Sequence, residues 1–438
     1  MTRSLDRSAI GPLRRAGRIG LLVAAAILAS EASLRLLALA SPQVRRVLAA
    51  TGRPMIRLRE PDALLGLRGN PAHPEHDAHG FRNGREPAGK PWLLALGDSL
   101  TYGMNAPYEG AWPRQLSALV HRPVYSMAFG GYGPAHSWLL WDEAMELAPQ
   151  VVVLAVYDGN DLYDAASLVY SKDAAAALRA GSAEVRAAMS GAYKVKRRAL
   201  SRRAQTRREA RGAGGARGES DEADPEARNA PLFLARSKLV GLLRGLRNGV
   251  MLEPVPEPAW DARTLDDSGW ERRKRRAGGR DDVLVVDDAA RRTILSPEYR
   301  LQALDLGLPR VREGLRITLE VIRDLHERAL RRGVDFVVLM LPTKELVFAP
   351  DVPPDPTEPA RRLLDDLVRN EEEVRAILEA DLRSKGIAFL DALPALRAAL
   401  ASGPPPYSAG IDGHPNGEGY RAIAQLVAAG VSSPSPQD

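Results

Sequence analysis

The chain has 438 residues, of which 45% are hydrophobic and 26% charged, and its formal net charge is +6. This length and apolar content are sufficient for one large domain or two modest ones with a real hydrophobic core. Cysteine is absent. That absence excludes disulfides, thiol chemistry and cysteine metal sites, and it is compatible with either a reducing or an oxidising compartment.

The first predicted element is an apolar segment at residues 19–41. As a helix it is long enough to cross a hydrocarbon layer of about 30 Å, which predicts a transmembrane helix or signal anchor. Glu31 and Arg35 interrupt the segment, but they lie four residues apart and can pair on one helix face. Basic residues within 1–18 predict a cytoplasmic tail and place the rest of the chain outside the cytoplasm.

Two other interpretations of this segment stay open. Ala38-Leu39-Ala40 has the small-x-small form of a signal-peptide cleavage site, which predicts a secreted protein. The third interpretation is an amphipathic helix of a soluble protein.

An approach segment, rich in proline and glycine, is predicted at residues 42–90. It contains His73, His76 and His79, but their spacing fits no standard zinc pattern and a loop of this kind is a poor preorganised site. We therefore predict no metal and no cofactor.

Apolar strand patterns then alternate with amphipathic helix patterns. The predicted strands are 92–96, 123–127, 151–156, 334–340 and 387–390, and the predicted helices are 112–120, 137–147, 310–332, 359–385 and 417–428. This alternation predicts a parallel sheet with helices on both faces. It divides the core into a first part at 91–165 and a second part at 309–430, followed by a tail at 431–438.

An insertion at residues 166–308 separates the two parts of the core. It carries a basic run around 194–217 and an acidic patch at 219–226, a composition that predicts disorder over about 200–228. No aromatic residues interleave the arginines, so we predict no nucleic-acid partner and favour a solvated linker over an anionic-lipid surface. We expect a strand at 283–286, and we expect the insertion to pack near the site as a cap.

Polar motifs follow the first three strands, and a fourth lies near the C-terminus. They are Gly97-Asp98-Ser99-Leu100, the glycine-rich stretch from Ser126 to Pro134, Gly159-Asn160-Asp161 and Asp412-Gly413-His414. Parallel sheets gather their chemistry at the carboxyl ends of the strands. A serine hydroxyl becomes a nucleophile when a base takes its proton, and His414 can serve as that base. Asp412 is the nearest acid that could orient the imidazole.

The ordered serine, glycine, asparagine and histidine resemble the SGNH, or GDSL-type, hydrolase family, and in particular its membrane-anchored bacterial members of esterase or acetyltransferase type. The resemblance implies a three-layer α/β/α flavodoxin-like fold with a five-stranded parallel sheet. It also implies an oxyanion hole formed by the backbone N–H groups of Ser99 and Gly131 and the side chain of Asn160. Asp98 and Asp161 are expected to support the site.

The chain departs from the family pattern at two places. The acid and the base are one residue closer than the usual Asp-x-x-His spacing, because only Gly413 separates Asp412 from His414. Ser126 stands where many relatives carry asparagine.

The leading functional hypothesis is an esterase that cleaves acetyl or acyl esters through a Ser99 acyl-enzyme, on an envelope or exported carbohydrate or lipid. The first alternative is an O-acyltransferase that modifies a polysaccharide with the same residues, and the second is a non-catalytic glycan-binding protein. Lys344 ends the fourth strand at the catalytic edge and could contact an anionic substrate; a plain surface lysine is the alternative. The oligomeric state does not follow from the sequence.

Overall fold

The computed structural model describes residues 26, 29–37, 39, 58–84, 90–189, 267–278, 280–288, 291–355 and 358–432. The chain divides into two units, one comprising 1–56 and 213–257 and the other 57–212 and 258–438. We describe each unit by itself.

In the first unit, the described residues between 26 and 39 are helical. Arg35 Nε donates to Glu31 Oε1 at 2.9 Å, so the ion pair expected from their spacing forms. None of the helices in the described ranges combines the length and the hydropathy that a bilayer crossing requires. Most of the predicted segment 19–41 and the whole predicted tail 1–18 lie outside the described residues.

The second unit holds the strands and helices that build the site. The strands are β1 Arg59–Asp62, β2 Gly66–Gly69, β3 Leu93–Gly97, β4 Val124–Ala128, β5 Val151–Tyr157, β6 Leu284–Asp287, β7 Arg292–Leu295, β8 Asp335–Leu341 and β9 Ala388–Asp391. The α-helices are α1 Ser99–Tyr102, α2 Trp112–Val120, α3 Pro134–Glu146, α4 Asp161–Ser171, α5 Asp267–Ala277, α6 Pro297–Leu304, α7 Pro309–Arg332, α8 Lys344–Phe348, α9 Pro359–Ser384, α10 Ala392–Ser402 and α11 Gly417–Ser432.

Five strands form one parallel sheet in the order β4-β3-β5-β8-β9. Gly97 of β3 lies opposite Ala128 of β4, and Leu96 lies opposite Leu154 of β5. This is the flavodoxin-like order, so the predicted five-stranded parallel α/β sheet is confirmed. The chain leaves β3 toward β4 on one side and then crosses to β5 on the other. Such a reversal opens a crevice at the carboxyl ends of β3 and β5.

The central strands are buried on both faces, which explains their continuous apolar sequences. Side chains alternate along a strand, so Leu94 and Leu96 of β3 belong to the cluster that contains buried residues of α3, α4 and α7. Leu93 and Ala95 belong to the opposite cluster, with buried residues of α2, α10 and α11. The sheet therefore lies between two helical layers.

Several element boundaries differ from the sequence-based predictions. Helix α3 begins at Pro134 rather than at residue 137, because proline needs no hydrogen-bond acceptor in the first turn of a helix. The predicted strand at 283–286 forms as β6 and pairs with β7 in an antiparallel hairpin. The basic run and the segment at about 200–228, predicted to be disordered, lie outside the described residues.

The approach segment supports the first helix of the core. The buried guanidinium of Arg82 donates to the carbonyls of Tyr102 at 3.2 Å, Gly103 at 2.9 Å and Ala106 at 3.1 Å. The first carbonyl belongs to the last residue of α1 and the other two follow it, where a helix leaves carbonyls without intrahelical donors; Gly103 O also accepts the N–H of Ala106 at 3.3 Å. A residue far from the strand ends therefore helps to hold the short helix that carries Ser99.

Candidate active site

Ser99 is the first residue of α1, directly beyond β3. Asp98 caps this helix, because its Oδ1 accepts the N–H of Leu100 at 2.8 Å. The turn is tight: a Cβ added to Gly97 would lie 2.4 Å from Thr101 Oγ1. Because the strand ends here, the hydroxyl of Ser99 reaches the carboxyl edge of the sheet.

His414 and Asp412 complete a hydrogen-bonded chain with this serine. His414 Nε2 lies 2.8 Å from Ser99 Oγ, and His414 Nδ1 lies 2.6 Å from Asp412 Oδ1. With the imidazole proton on Nδ1, the ring donates to Asp412 and can accept the proton of Ser99. This is the arrangement that activates a serine nucleophile.

The short spacing between the acid and the base is accommodated by a turn. Asp412 Oδ1 also accepts the backbone N–H of His414 at 2.9 Å, so one carboxylate oxygen receives two bonds from the same residue. A side-chain bond to the backbone two residues later is an Asx-turn. The chain thereby brings the carboxylate back onto Nδ1 with a single residue between.

The two aspartates of the site, Asp412 and Asp98, have pKa values shifted in opposite directions. Partial burial raises the pKa of Asp412, but the hydrogen bond and the charge of His414 outweigh it and leave that pKa below its ordinary value. Asp412 is therefore an anion at neutral pH and can stabilise an imidazolium. Burial raises the pKa of Asp98, which the N–H of Leu100 and the charge of His414 only partly oppose.

Comparison with known proteins gives similarity to solved structures only. No family model matches the chain, and no curated protein matches it. A phospholipase A1 from Streptomyces albidoflavus is 12% identical, with 78% of this chain and 100% of that chain covered and a TM-score of 0.34. An acetylxylan esterase from Geobacillus stearothermophilus is 11% identical, with 80% and 98% covered and a TM-score of 0.30. A GDSL-like lipase from Bacteroides thetaiotaomicron is 12% identical, with 77% and 85% covered and a TM-score of 0.30.

In the structure, the serine, glycine and asparagine motifs follow β3, β4 and β5 in order, and His414 contacts Ser99. This order agrees with the resemblance of the sequence to the SGNH, or GDSL-type, hydrolase family.

Gly131 lies in the turn that follows β4, next in sequence to a glycine that lies close to Ser99. A Cβ added to the neighbouring Gly130 would lie 3.9 Å from Ser99 Cβ, whereas one added to Gly131 would meet nothing within 4 Å. Gly131 has φ +85°, a conformation that glycine adopts without strain. In the described part of the chain its N–H has no acceptor, and the N–H of Ser99 has none within its helix. Both amides are available to an oxyanion.

Asn160 follows β5 and immediately precedes α4. One hydrogen of its Nδ2 donates to Asp164 Oδ2 at 2.6 Å, which fixes the amide plane. Asp161 is fully buried, and its Oδ2 accepts the N–H of Tyr157 at 2.9 Å. Burial, together with the nearby charge of Asp98, raises the pKa of Asp161 well above its ordinary value. Asp161 thus supports the loop that carries Asn160.

Lys344 is neither a contact for an anionic substrate nor a surface lysine, the two roles considered from the sequence. It is completely buried, and its Nζ donates to the carbonyls of Ile294 at 3.0 Å, Gly410 at 2.9 Å and Asp412 at 2.9 Å. All three ammonium hydrogens are therefore used within the protein. Burial lowers the pKa of Lys344 to about 8. The expectation that Lys344 contacts an anionic substrate or lies at the surface is wrong, because the insertion covers the end of β8.

The insertion contacts the loop that carries His414. Ile294 of β7 donates its N–H to Gly410 O at 3.1 Å, and Thr293 Oγ1 donates to the same carbonyl at 3.2 Å. Arg300 of α6, which the sequence did not single out, places Nη1 3.3 Å from Gly159 O. A single arginine in an arginine-rich insertion carries no pattern that would distinguish it, so only the fold reveals it.

The histidines of the approach segment have structural contacts. His76 is buried, with Nδ1 2.9 Å from Asn70 O and Nε2 2.9 Å from Tyr102 Oη. Burial lowers the pKa of His76 to about 4, so its ring is neutral. Within the described ranges, acidic and histidine side chains form no group of three or more suited to a metal ion.

Proposed function

We propose that this chain is a serine esterase. The observation that carries the proposal is the hydrogen-bonded order Ser99 Oγ, His414 Nε2, His414 Nδ1 and Asp412 Oδ1, with separations of 2.8 and 2.6 Å. His414 takes the hydroxyl proton as Ser99 attacks the ester carbonyl, and Asp412 stabilises the imidazolium that forms. The imidazolium then protonates the leaving alcohol, which produces an acyl-enzyme. Water activated by the same histidine releases the acid.

The negative charge that develops on the carbonyl oxygen requires fixed donors. We assign this role to the N–H groups of Ser99 and Gly131 and to the side-chain amide of Asn160. Such donors act before the reaction begins and need no reorganisation, so each contributes on the order of 3 kcal/mol to lowering the barrier. The open space at Gly131 supports the assignment, since no side chain obstructs the approach of the ester to its amide.

We further propose that the ester belongs to an envelope or exported carbohydrate or lipid, and that the catalytic part lies outside the cytoplasm. The apolar segment at residues 19–41, preceded by basic residues, supports an anchor, and secretion after cleavage is the alternative. Protease accessibility of the full chain in intact and lysed cells tests this placement. Protection that persists until the inner membrane is broken would contradict it.

Transfer of the acyl group to a sugar hydroxyl is a second candidate function. The short Asp412-x-His414 spacing favours it, since D-x-H occurs among the acetyltransferase-like relatives that the sequence resembles. Water and a sugar hydroxyl compete for the same acyl-enzyme, so no further residues are needed. Product analysis with and without a glycan acceptor separates the two reactions. Identical products in both cases would contradict transfer.

The first experiment labels the full-length protein with a fluorophosphonate and measures its hydrolysis of p-nitrophenyl acetate. We expect an adduct on Ser99, and we expect Ser99→Ala and His414→Ala to lose at least about 10³-fold in kcat. Ser402→Ala and His121→Ala are the matched controls, because both residues are exposed and outside the site. Losses below about tenfold in both site variants would contradict the mechanism, and a folded protein without an adduct would favour the glycan-binding hypothesis.

A further inference from the structure

Arg300 lies between the two loops that carry the site. Its Nη1 is 3.3 Å from Gly159 O, one residue before Asn160. A Cβ added to Gly413, one residue before His414, would lie 3.2 Å from Arg300 Nη2. The guanidinium is also 5.2 Å from the ring centroid of Tyr157 and 4.8 Å from that of Tyr299. Helix α6 of the insertion therefore places a positive charge at the edge of the crevice beyond the carboxyl ends of β3 and β5.

This cation forms no direct ion pair with an acidic side chain among the described residues. Two other arginines of the same unit pair directly with carboxylates: Arg82 binds Glu75 at 2.8 Å, and Arg68 binds Glu143 at 2.9 Å. Arg300 forms no such ion pair within the described ranges, and its Nε and Nη2 donate no hydrogen bond there. The nearby acids Glu345 and Asp98 act on Arg300 only through their charge and accept none of its N–H groups, so these donors are left for a ligand.

The two unused donors, Nε and Nη2, form one edge of the guanidinium. That edge presents parallel N–H groups with the spacing of the two oxygens of a carboxylate. The contacts with the rings of Tyr157 and Tyr299 use none of the hydrogen-bond donors of the guanidinium. Burial lowers the pKa of Arg300, but its neighbours Tyr157, Glu345 and Asp98 outweigh this effect and raise the pKa above its ordinary value. The guanidinium is therefore positively charged.

We propose that Arg300 is a specificity-determining residue that binds a carboxylate of the ester substrate, in either its acyl or its alcohol part. The proposal rests on the proposed function, since it names the substrate class of the same site. The carboxylate would lie on the guanidinium edge between the loops of Gly159 and Gly413, and the scissile carbonyl at Ser99. The preferred substrates are thus acidic esters, such as acylated acidic sugars or half-esters of dicarboxylic acids.

Matched ester pairs test this proposal in the full-length protein. One pair is p-nitrophenyl hydrogen succinate and its methyl ester, which differ by a charge in the acyl part. The other is 3-acetoxybenzoate and methyl 3-acetoxybenzoate, which differ by a charge in the alcohol part. We expect kcat/KM to favour the charged member of at least one pair by about tenfold, mainly through KM. Arg300→Gln should reduce this ratio to about one, and Arg300→Lys should retain part of it because lysine keeps the charge without the fork.

General damage to the site lowers kcat/KM for both esters of a pair alike, so it does not change the ratio of the two values. Arg331→Gln is the matched control, because Arg331 is exposed at the end of α7, which precedes the amino end of β8. It should keep the wild-type ratio. No preference for the charged member in either pair, or a preference that survives in Arg300→Gln, would overturn the proposal.

Equilibrium binding to Ser99→Ala separates this proposal from the esterase mechanism. We expect this variant to bind the charged member of the same pair about tenfold more tightly than the neutral one, and the double variant with Arg300→Gln to bind them equally. A binding preference without any Ser99-dependent turnover would support Arg300 and contradict the esterase function. Turnover without a binding preference would support the esterase function and overturn the role of Arg300.

Discussion

At the scale of single residues, the catalytic acid depends on a local turn. Asp412 reaches His414 across one glycine because its Oδ1 accepts both the backbone N–H and the ring Nδ1 of that residue. Gly413 suits this position, since a Cβ there would come within 3.2 Å of Arg300 Nη2. The carboxylate therefore orients the imidazole and shapes the loop at the same time.

Asp412→Asn separates these two contributions. Asparagine retains an oxygen for the backbone N–H of His414, but it removes the negative charge that favours the Nδ1 proton and stabilises the imidazolium. We expect kcat for p-nitrophenyl acetate to fall by roughly 10²- to 10⁴-fold with the protein still folded. Asp335→Asn, at an exposed position at the start of β8, is the control. A loss smaller than about threefold in Asp412→Asn would show that another group orients His414.

Asn160→Ala tests the side-chain donor of the oxyanion hole. The substitution removes an amide held by Asp164 at 2.6 Å, and the loss should appear in the transition state and not in substrate binding. We expect kcat to fall by about 10²- to 10³-fold with little change in KM. Asn370→Ala, on the half-exposed face of α9, should leave both parameters near wild type. A change confined to KM would argue against an oxyanion role for Asn160.

At the scale of elements, Lys344 joins three segments. It begins α8, just beyond β8, and binds a carbonyl of β7 and two carbonyls of the loop that carries Asp412. Each carbonyl is far from Lys344 in the sequence, at separations of 50, 66 and 68 residues. The hairpin of the insertion and the catalytic loop are thus held to the sheet by one side chain.

Lys344→Met tests this connection through its pH dependence. Burial lowers the pKa of Lys344 from 10.5 to about 8, so between these values the unfolded chain binds a proton that the folded chain has released. The free energy of unfolding of the wild type should therefore rise over this range as pH increases, relative to the variant. We expect the difference between wild type and variant, from urea unfolding, to grow by roughly 2 kcal/mol between about pH 7 and pH 9.5.

The same variant should also lose at least about tenfold in kcat at neutral pH, because the carbonyls that hold the catalytic loop lose their donors. Lys385→Met, at the exposed end of α9, is the control for both measurements. Parallel pH curves for wild type and Lys344→Met would mean that the buried ammonium does not titrate as described.

At the scale of the whole molecule, a buried charge network connects α9 to the carboxyl ends of three strands. Arg375 pairs with Asp158, beyond β5, and with Asp391, at the end of β9. Glu371, one turn earlier on α9, accepts the N–H of Thr343 at 2.8 Å and its hydroxyl at 2.5 Å. Burial raises the pKa of Asp158, and the positive charge of Arg375 opposes this rise.

Arg375→Met should destabilise the whole domain. It leaves Asp158 buried without its counter-charge, which typically costs about 3–5 kcal/mol. Urea unfolding of Arg375→Met measures the loss, and adding Asp158→Asn should recover part of it because the stranded charge is removed. Arg383→Met, an exposed residue on the same helix, should change the free energy of unfolding by less than about 1 kcal/mol. A loss below about 1 kcal/mol in Arg375→Met would contradict this account.

The elements that the sequence predicted well are those with strong local patterns. The strands of the sheet were predicted within about two residues of their observed ends, because strands buried on both faces read as continuous apolar runs. Helices α7 and α9 were also predicted closely, since an amphipathic stripe is visible over their whole length. The hairpin β1–β2 was missed because each of its strands has only four residues, and helix α10 was missed although it spans 11 residues.

The sequence by itself determined the sheet, the order of the motifs and the identity of the serine, the histidine and the nearby acid. These are local properties, because each motif directly follows a strand or lies within one turn. The tertiary structure alone decided that Lys344 is buried beneath the insertion, that Arg375 bridges two aspartates, and that Arg300 stands between Gly159 and Gly413. Their neighbours are distant in sequence, and no local pattern records which distant groups meet once the chain has closed around its core.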